Sequence, residues 1–395
     1  MKHWCWSLLS TLLLSLYSVS AVFLPLHQYE GQTFFDTWDF YGNVDNTTWG
    51  NVTFLDRADA KSKQLVYIND AGNAVIKLDT TADIAQAPVV HRDSIRLTSR
   101  DTYGMGSLII IDALHIPYGC SVWPSFWTLG MGKTWPGAGE IDIIEAINLM
   151  DHNQIALHTT PGCVQAPTAR QSGATRNEDC STDQGCIVAE VKPNSFGAGF
   201  SQAGGGVYAL QIDATGIYVW FFSRPDVPAS LSAANKDTPI DTTVWGLPTA
   251  AYPSTTCDFD TYFGQQQLIL LTTLCGIWAG EPHNYAQTCP GNCVADYAFG
   301  PGSPRFDNAF WEIKYVRAYI EEGRTPPPPA PPAPDLPVTT TSTTMEATST
   351  SAQQAAASAS SSSSSAPKKI SLVGWEYIAG LVALGSLLSV HLMTL

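Results

Sequence analysis

Trp135-Pro136-Gly137-Ala138-Gly139-Glu140-Ile141-Asp142-Ile143-Ile144-Glu145 is the stretch on which the reading of this chain turns. Acids and isoleucines alternate from Glu140 to Ile143, as on a strand with one wet face and one buried face. A helix is a poor alternative, because the β-branched run and the preceding proline and glycines disfavour it. A regular strand would put Glu140, Asp142 and Ile144 on one face and turn Glu145 to the other. One extra residue, a β-bulge near Ile143 or Ile144, returns Glu145 to the face of Glu140.

Outward from this segment, short β-branched and aromatic runs recur between clusters of Gly, Pro, Asn and Asp. Ala74 to Leu78, Ser94 to Thr98, Gly106 to Ile111, Val207 to Ile212, Ile217 to Phe222, Gln267 to Thr272 and Phe310 to Tyr319 all read as strands. The junction Asp213-Ala214-Thr215-Gly216 predicts a hairpin from Tyr208 to Phe222. Many short strands, few helical patterns and no internal repeat point to an all-β sandwich over residues 22–323.

The ends differ in kind. Residues 1–21 have a short basic start (Lys2, His3), an apolar run from Leu8 to Val19 and small residues at Val19-Ser20-Ala21. That layout predicts a secretory signal peptide; a signal anchor is the alternative, disfavoured by the short run. Residues 324–369 form a stalk, rich in proline and then in Thr, Ser and Ala, that cannot bury a core and suits O-glycosylation. The apolar tail 370–395 follows Lys368 and Lys369 and completes the pattern of a GPI-attachment signal. A retained membrane helix is the alternative, and Glu376 interrupts it. The chain is therefore expected to be secreted, meeting a membrane only through a C-terminal lipid anchor.

The formal charge of −15 argues against nucleic acid or anionic lipid surfaces as partners. Of nine cysteines, Cys5 lies in the signal segment and eight remain: Cys120, Cys163, Cys180, Cys186, Cys257, Cys275, Cys289 and Cys293. In an exported chain they predict disulfides, with the pairing open. A zinc site at Cys289-x-x-x-Cys293 with another pair is the less favoured reading. Asn46 and Asn51 stand in N-glycosylation acceptors.

Three carboxyl groups on one short stretch cannot all ionise cheaply, so at least one pKa should rise. Retaining glycoside hydrolysis needs such a set, with one ionised nucleophile and one protonated acid roughly 5 Å apart. An exposed acidic edge, or a metal site of oxygen ligands, is the plainer alternative. Twelve tryptophans shift the balance, with Trp123, Trp127 and Trp135 just upstream of the acids and Trp278 further on. Aromatic faces beside carboxylates suit a polysaccharide cleft, although many of these rings are expected in the core.

These residues resemble the laminarinase-like branch of glycoside hydrolase family 16, most closely fungal endo-1,3(4)-β-glucanases. The resemblance rests on Trp123-Pro-Ser-Phe-Trp127, on Trp135-Pro with Gly139-Glu-Ile-Asp-Ile-Ile-Glu145, and on flanking motifs. Among those are Leu157-His158-Thr-Thr-Pro161, Cys275-Gly-Ile-Trp278-Ala-Gly280 and Phe310-Trp-Glu-Ile-Lys-Tyr-Val316. It implies a concanavalin A-like β-jelly-roll of two curved antiparallel sheets with a concave cleft. It also implies Glu140 as nucleophile, Glu145 as general acid/base and Asp142 as the supporting carboxylate. Trp123, Trp127, Trp135, His158 and Trp278 would contact substrate, a β-glucan cleaved without cofactor or metal by a monomer. Wall-remodelling transglycosylases of the same family have one residue fewer between the acids. Ile277 departs from the pattern, standing where many relatives carry an acid, and Gly130–Lys133 is slightly long. A transglycosylase and a non-catalytic glucan-binding protein are the alternatives.

Overall fold

The computed structural model describes residues 22–86 and 90–328. Segments 1–21 and 370–395, and all but the start of the 324–369 stalk, lie outside the described residues. Two large antiparallel sheets carry the fold. One has eight strands, in the order Ala174–Asn177, Cys186–Ala189, Gln154–His158, Glu140–Glu145, Val122–Gly130, Gln266–Leu274, Arg96–Tyr103 and Trp38–Phe40. The other, of nine strands, is built around Val22–Glu30, Phe310–Glu321, Ser107–His115, Gly206–Asp213 and Gly216–Ser223. The runs read as strands from sequence fall in these sheets, except that Ser94 to Thr98 breaks at Ile95. Ser94 ends the strand Arg92–Ser94 of a small three-stranded sheet. The expected hairpin closes through Ala214 and Thr215.

The main core lies between the two sheets. Ile141, Ile143, Ile144, Leu157, Leu97, Phe126 and Leu270 meet Ile109, Ile111, Leu210, Val219, Trp311 and Val316 from the facing sheet. Period-two alternation is the cause: alternate residues of each strand turn inward to this core. Strands such as Ser107–His115 bury a second apolar set, Leu108 and Ile110, on the other face. Full burial of a side chain of this size contributes about 1.5–3 kcal/mol. The outer face of the eight-stranded sheet is partly roofed, where Val52 and Phe54 pack over Ile269 and Leu271. Beyond that roof it carries the acids.

All eight cysteines pair: Cys120–Cys289, Cys163–Cys257, Cys180–Cys186 and Cys275–Cys293. Two of these bonds hold the short helices Gly276–Ala279 and Pro282–Ala286 and the turn at Cys293 against the strand that begins at Val122. Cys120–Cys289 closes 169 residues of chain, so its loss frees the unfolded state substantially. Replacing both cysteines by serine is expected to lower the unfolding free energy by about 2–4 kcal/mol, read from the midpoint of a urea titration.

Candidate active site

The acidic strand is bulged at Ile143. Towards Val122–Gly130 the register runs Phe126 to Ile144 but Trp127 to Asp142; towards Gln154–His158 it runs Asp142 to Ala156 and Glu145 to Gln154. Ile143 is the extra residue on both sides, and Ile143 and Ile144 both enter the core. Glu145 is thereby returned to the outer face with Glu140 and Asp142, as the sequence required.

A bulge leaves backbone groups without ladder partners. Here one buried side chain takes both. Asn153 donates from Nδ2 to the Ile143 carbonyl at 2.9 Å, and its Oδ1 accepts the Glu145 N–H at 2.8 Å. Asn153 is itself held by the Ser195 hydroxyl and by the Glu190 N–H. Nothing in the sequence flagged it, because an asparagine after Asp151-His152 reads as ordinary turn composition.

At the other end of the strand, Gly139 has φ +73, and an added Cβ there would lie 2.1 Å from the Phe263 ring. Glycine alone fits this turn, so Glu140 enters the strand at a fixed angle. Trp135 Nε1 donates to Glu140 at 2.8 Å, and Trp123 Nε1 donates to Glu145 at 2.9 Å. His158 lies across the ladder from Glu140, with Nε2 3.4 Å from an oxygen of Asp142. Trp127 is the cross-strand neighbour of Asp142, and the Arg96 guanidinium stacks over its ring. Trp278 stands edge-on to Trp123 at 5.4 Å.

The eight residues singled out at this site from sequence therefore converge on one region. They differ in access. Trp135 is 52 % exposed, whereas Trp123 is 6 % exposed beneath Ile147, Ala279 and Trp278. Asn46 and Asn51 lie on the loop leading into Val52–Phe54.

Electrostatics shift the three carboxyls together. Burial pushes Glu140, Asp142 and Glu145 all upward, and the Asp142 charge adds to the rise at both glutamates. Glu140 and Glu145 are both pushed up to about 8. Asp142 is buried, and its Oδ2 has no hydrogen-bond partner, an arrangement far cheaper for a shared proton than for a bare charge. Glu140 has His158 and the Arg96 charge to favour its ionised form, besides the Trp135 N–H. Trp123 and His158 temper the rise at Glu145 in the same way, so the set can hold one ionised and one protonated glutamate but does not ionise freely as a whole. Glu140, Asp142 and His158 also bring ligand atoms within 4.8 Å of one another, close enough to hold a cation.

Residues 38–319 match the family model described as XgeA-like, catalytic GH16 domain. The chain is 36 % identical over 299 residues to a "Probable glycosidase" of Schizosaccharomyces pombe, covering 74 % of this chain and 68 % of that protein. It is 33 % identical over 305 residues to an endo-1,3(4)-β-glucanase of Emericella nidulans, covering 74 % of this chain but only 46 % of that one. Among solved structures, a GH16 laminarinase of Phanerochaete chrysosporium, with β-glucans in donor and acceptor sites, superposes with TM-score 0.71 at 34 % identity. The match covers 76 % of this chain and 100 % of that one. An elongating GH16 β-1,3-glucosyltransferase superposes with TM-score 0.69, also at 34 % identity, covering 75 % and 100 %. The two-sheet sandwich described above is the β-jelly-roll of these laminarinases.

The raised Asp142 pKa has a stability consequence. A carboxyl whose pKa is higher folded than unfolded loses stabilisation as pH climbs from about 4, the unfolded value, through the folded one. Asp142→Asn removes that group and relieves both glutamates. The variant is expected to gain stability relative to wild type as pH rises from 5 to 8, by thermal denaturation across that range; a gain that shrinks with pH would contradict the assignment.

Proposed function

The chain belongs to glycoside hydrolase family 16, and from that membership we propose that it is a secreted, retaining endo-β-glucanase of β-1,3 or mixed β-1,3/1,4 glucan. The observation that carries this reading is the bulged strand, which sets two glutamates with raised pKa values on one face, beside a third carboxyl. In the first step a Glu140 oxygen attacks the anomeric carbon while Glu145 gives its proton to the departing glycosidic oxygen. The C–O bond to the leaving sugar breaks, and a glycosyl ester on Glu140 forms. In the second step Glu145, now a carboxylate, takes a proton from water. That water attacks the same carbon and frees Glu140, so the anomeric configuration is retained.

Asp142 and His158 hold the charge of this pair within the strand ladder. Trp135 orients Glu140 and offers an exposed ring to a sugar face; Trp127 and Trp278 extend the aromatic lining. Trp123 acts mainly through its hydrogen bond to Glu145. No cofactor takes part in these steps, and the enzyme works as a monomer on the polysaccharide. Four disulfides support an exported protein. The stalk and apolar tail would then tether the domain at the cell surface through a GPI anchor.

Transfer to a second glucan is the alternative fate of the glycosyl ester. The likeness to an elongating glucosyltransferase, at the same 34 % identity as the laminarinase, favours testing for it. Laminarin and barley glucan digests analysed for chain length separate the two. Shorter products alone mean hydrolysis; products longer than the donor mean transfer. Glu140→Gln and Glu145→Gln are each expected to lose at least about a hundredfold in kcat. Full activity in Glu140→Gln, or none in folded wild type, would overturn the reading.

Asn153→Ala supplies a second test, since loss of the clamp lets Glu145 drift. A fall in kcat of roughly tenfold to a hundredfold is expected, with KM little changed. Undiminished kcat would mean that the bulge holds without Asn153.

A further inference from the structure

Trp49 is the most exposed large hydrophobic residue described, at 70 %, yet it sits on one of the best-pinned loops in the chain. Asp45, itself 5 % exposed, accepts bonds from the backbone N–H groups of Thr47, Thr48 and Gly50. It also accepts from the hydroxyls of Thr47, Thr48 and Thr273. This anchoring holds Trp49 at φ +57, in the left-handed region where glycine is at ease and a bulky aromatic side chain is not. Solvation gives no reason for a tryptophan here, and its own fold contacts are few. A strained, exposed aromatic on a fixed loop calls for a ligand.

The loop is tied to residues of the site from two directions. Arg96, which faces Glu140, donates from Nη1 to the Thr47 hydroxyl at 3.0 Å. On the other side, the Thr48 carbonyl accepts the Ile277 N–H at 3.0 Å. A Cβ at Gly276 would lie 2.5 Å from that carbonyl oxygen and 3.3 Å from the ring of Trp123, the donor to Glu145. Trp49 is therefore on the rim of the cleft, one step removed from the partners of both glutamates. Ile277, which departs from the family pattern, is 64 % exposed and adjoins it through the bridge between Gly50 and Cys275. Trp49 and Ile277 are thus two exposed apolar residues on adjoining backbone, next in sequence to the partly exposed Trp278.

We infer that Trp49, with Ile277 beside it, is an outer sugar-binding platform for a glucan chain running on past the two carboxylates. The inference rests on the glucanase reading. Sugar rings present C–H faces to an aromatic plane, and an uncharged patch suits a neutral polysaccharide. A platform at the rim touches only chains long enough to reach it. It therefore sets chain-length preference and leaves the bond-breaking step alone.

Trp49→Gly makes a clean test, because glycine at φ +57 relieves the backbone and should leave the melting temperature equal or higher. Steady-state kinetics on a series of β-1,3-gluco-oligosaccharides, from the shortest cleaved to long chains, are compared for wild type, Trp49→Gly and Trp49→Tyr. The expected result is a KM raised about three- to tenfold on long chains only, with kcat unchanged and with Trp49→Tyr near wild type. Equal KM for wild type and Trp49→Gly at every length would overturn the platform, as would a loss that is the same at every length. Failure of wild type to cleave any member of the series would instead overturn the glucanase reading itself.

Discussion

Everything at this site depends on one unpaired step in a β-ladder. A strand can place residues on a common face only at even spacing, and five positions separate Glu140 from Glu145. The bulge at Ile143 converts that odd spacing into a shared face. It also exposes a carbonyl and an amide that a buried strand must satisfy. Asn153 answers both with a single planar amide, which fixes the bulge at one residue. The neighbouring strands inherit the consequence: Trp127 lies across from Asp142, and His158 across from Glu140.

Crowding three carboxyls into a poorly solvated strand is costly unless protons are shared. Each glutamate has its own relief: Glu140 takes the Trp135 N–H with Arg96 and His158 within electrostatic reach, and Glu145 takes the Trp123 N–H with His158 nearby. Asp142 between them raises both glutamates, and any change in its charge is felt by each.

Much of this was legible in the sequence. The acid and isoleucine alternation, broken by Ile143-Ile144, announced both the strand and its bulge. The hairpin over residues 206–223 was marked by its turn chemistry. What could not be read depended on partners distant in the chain. Eight cysteines gave no pairing, because Cys120 finds Cys289 only through the folded sheet. The sequence put Trp123 and Trp127 close upstream of the acids, but not the roof of Ile147 and Ala279 that leaves Trp123 nearly inaccessible. Asn153 and Trp49 carry no local signature at all, since an asparagine in a turn and a tryptophan in a loop are each ordinary.

The account stands or falls on Glu140 as the atom donor to the sugar. The most direct measurement is trapping with an activated 2-deoxy-2-fluoro β-gluco-oligosaccharide, followed by proteolysis and mass spectrometry of the labelled peptide. The bulged-strand account predicts one label, on Glu140, that turns over slowly on addition of an acceptor. A label on Glu145, or turnover of the donor with inversion and no covalent adduct, would contradict it.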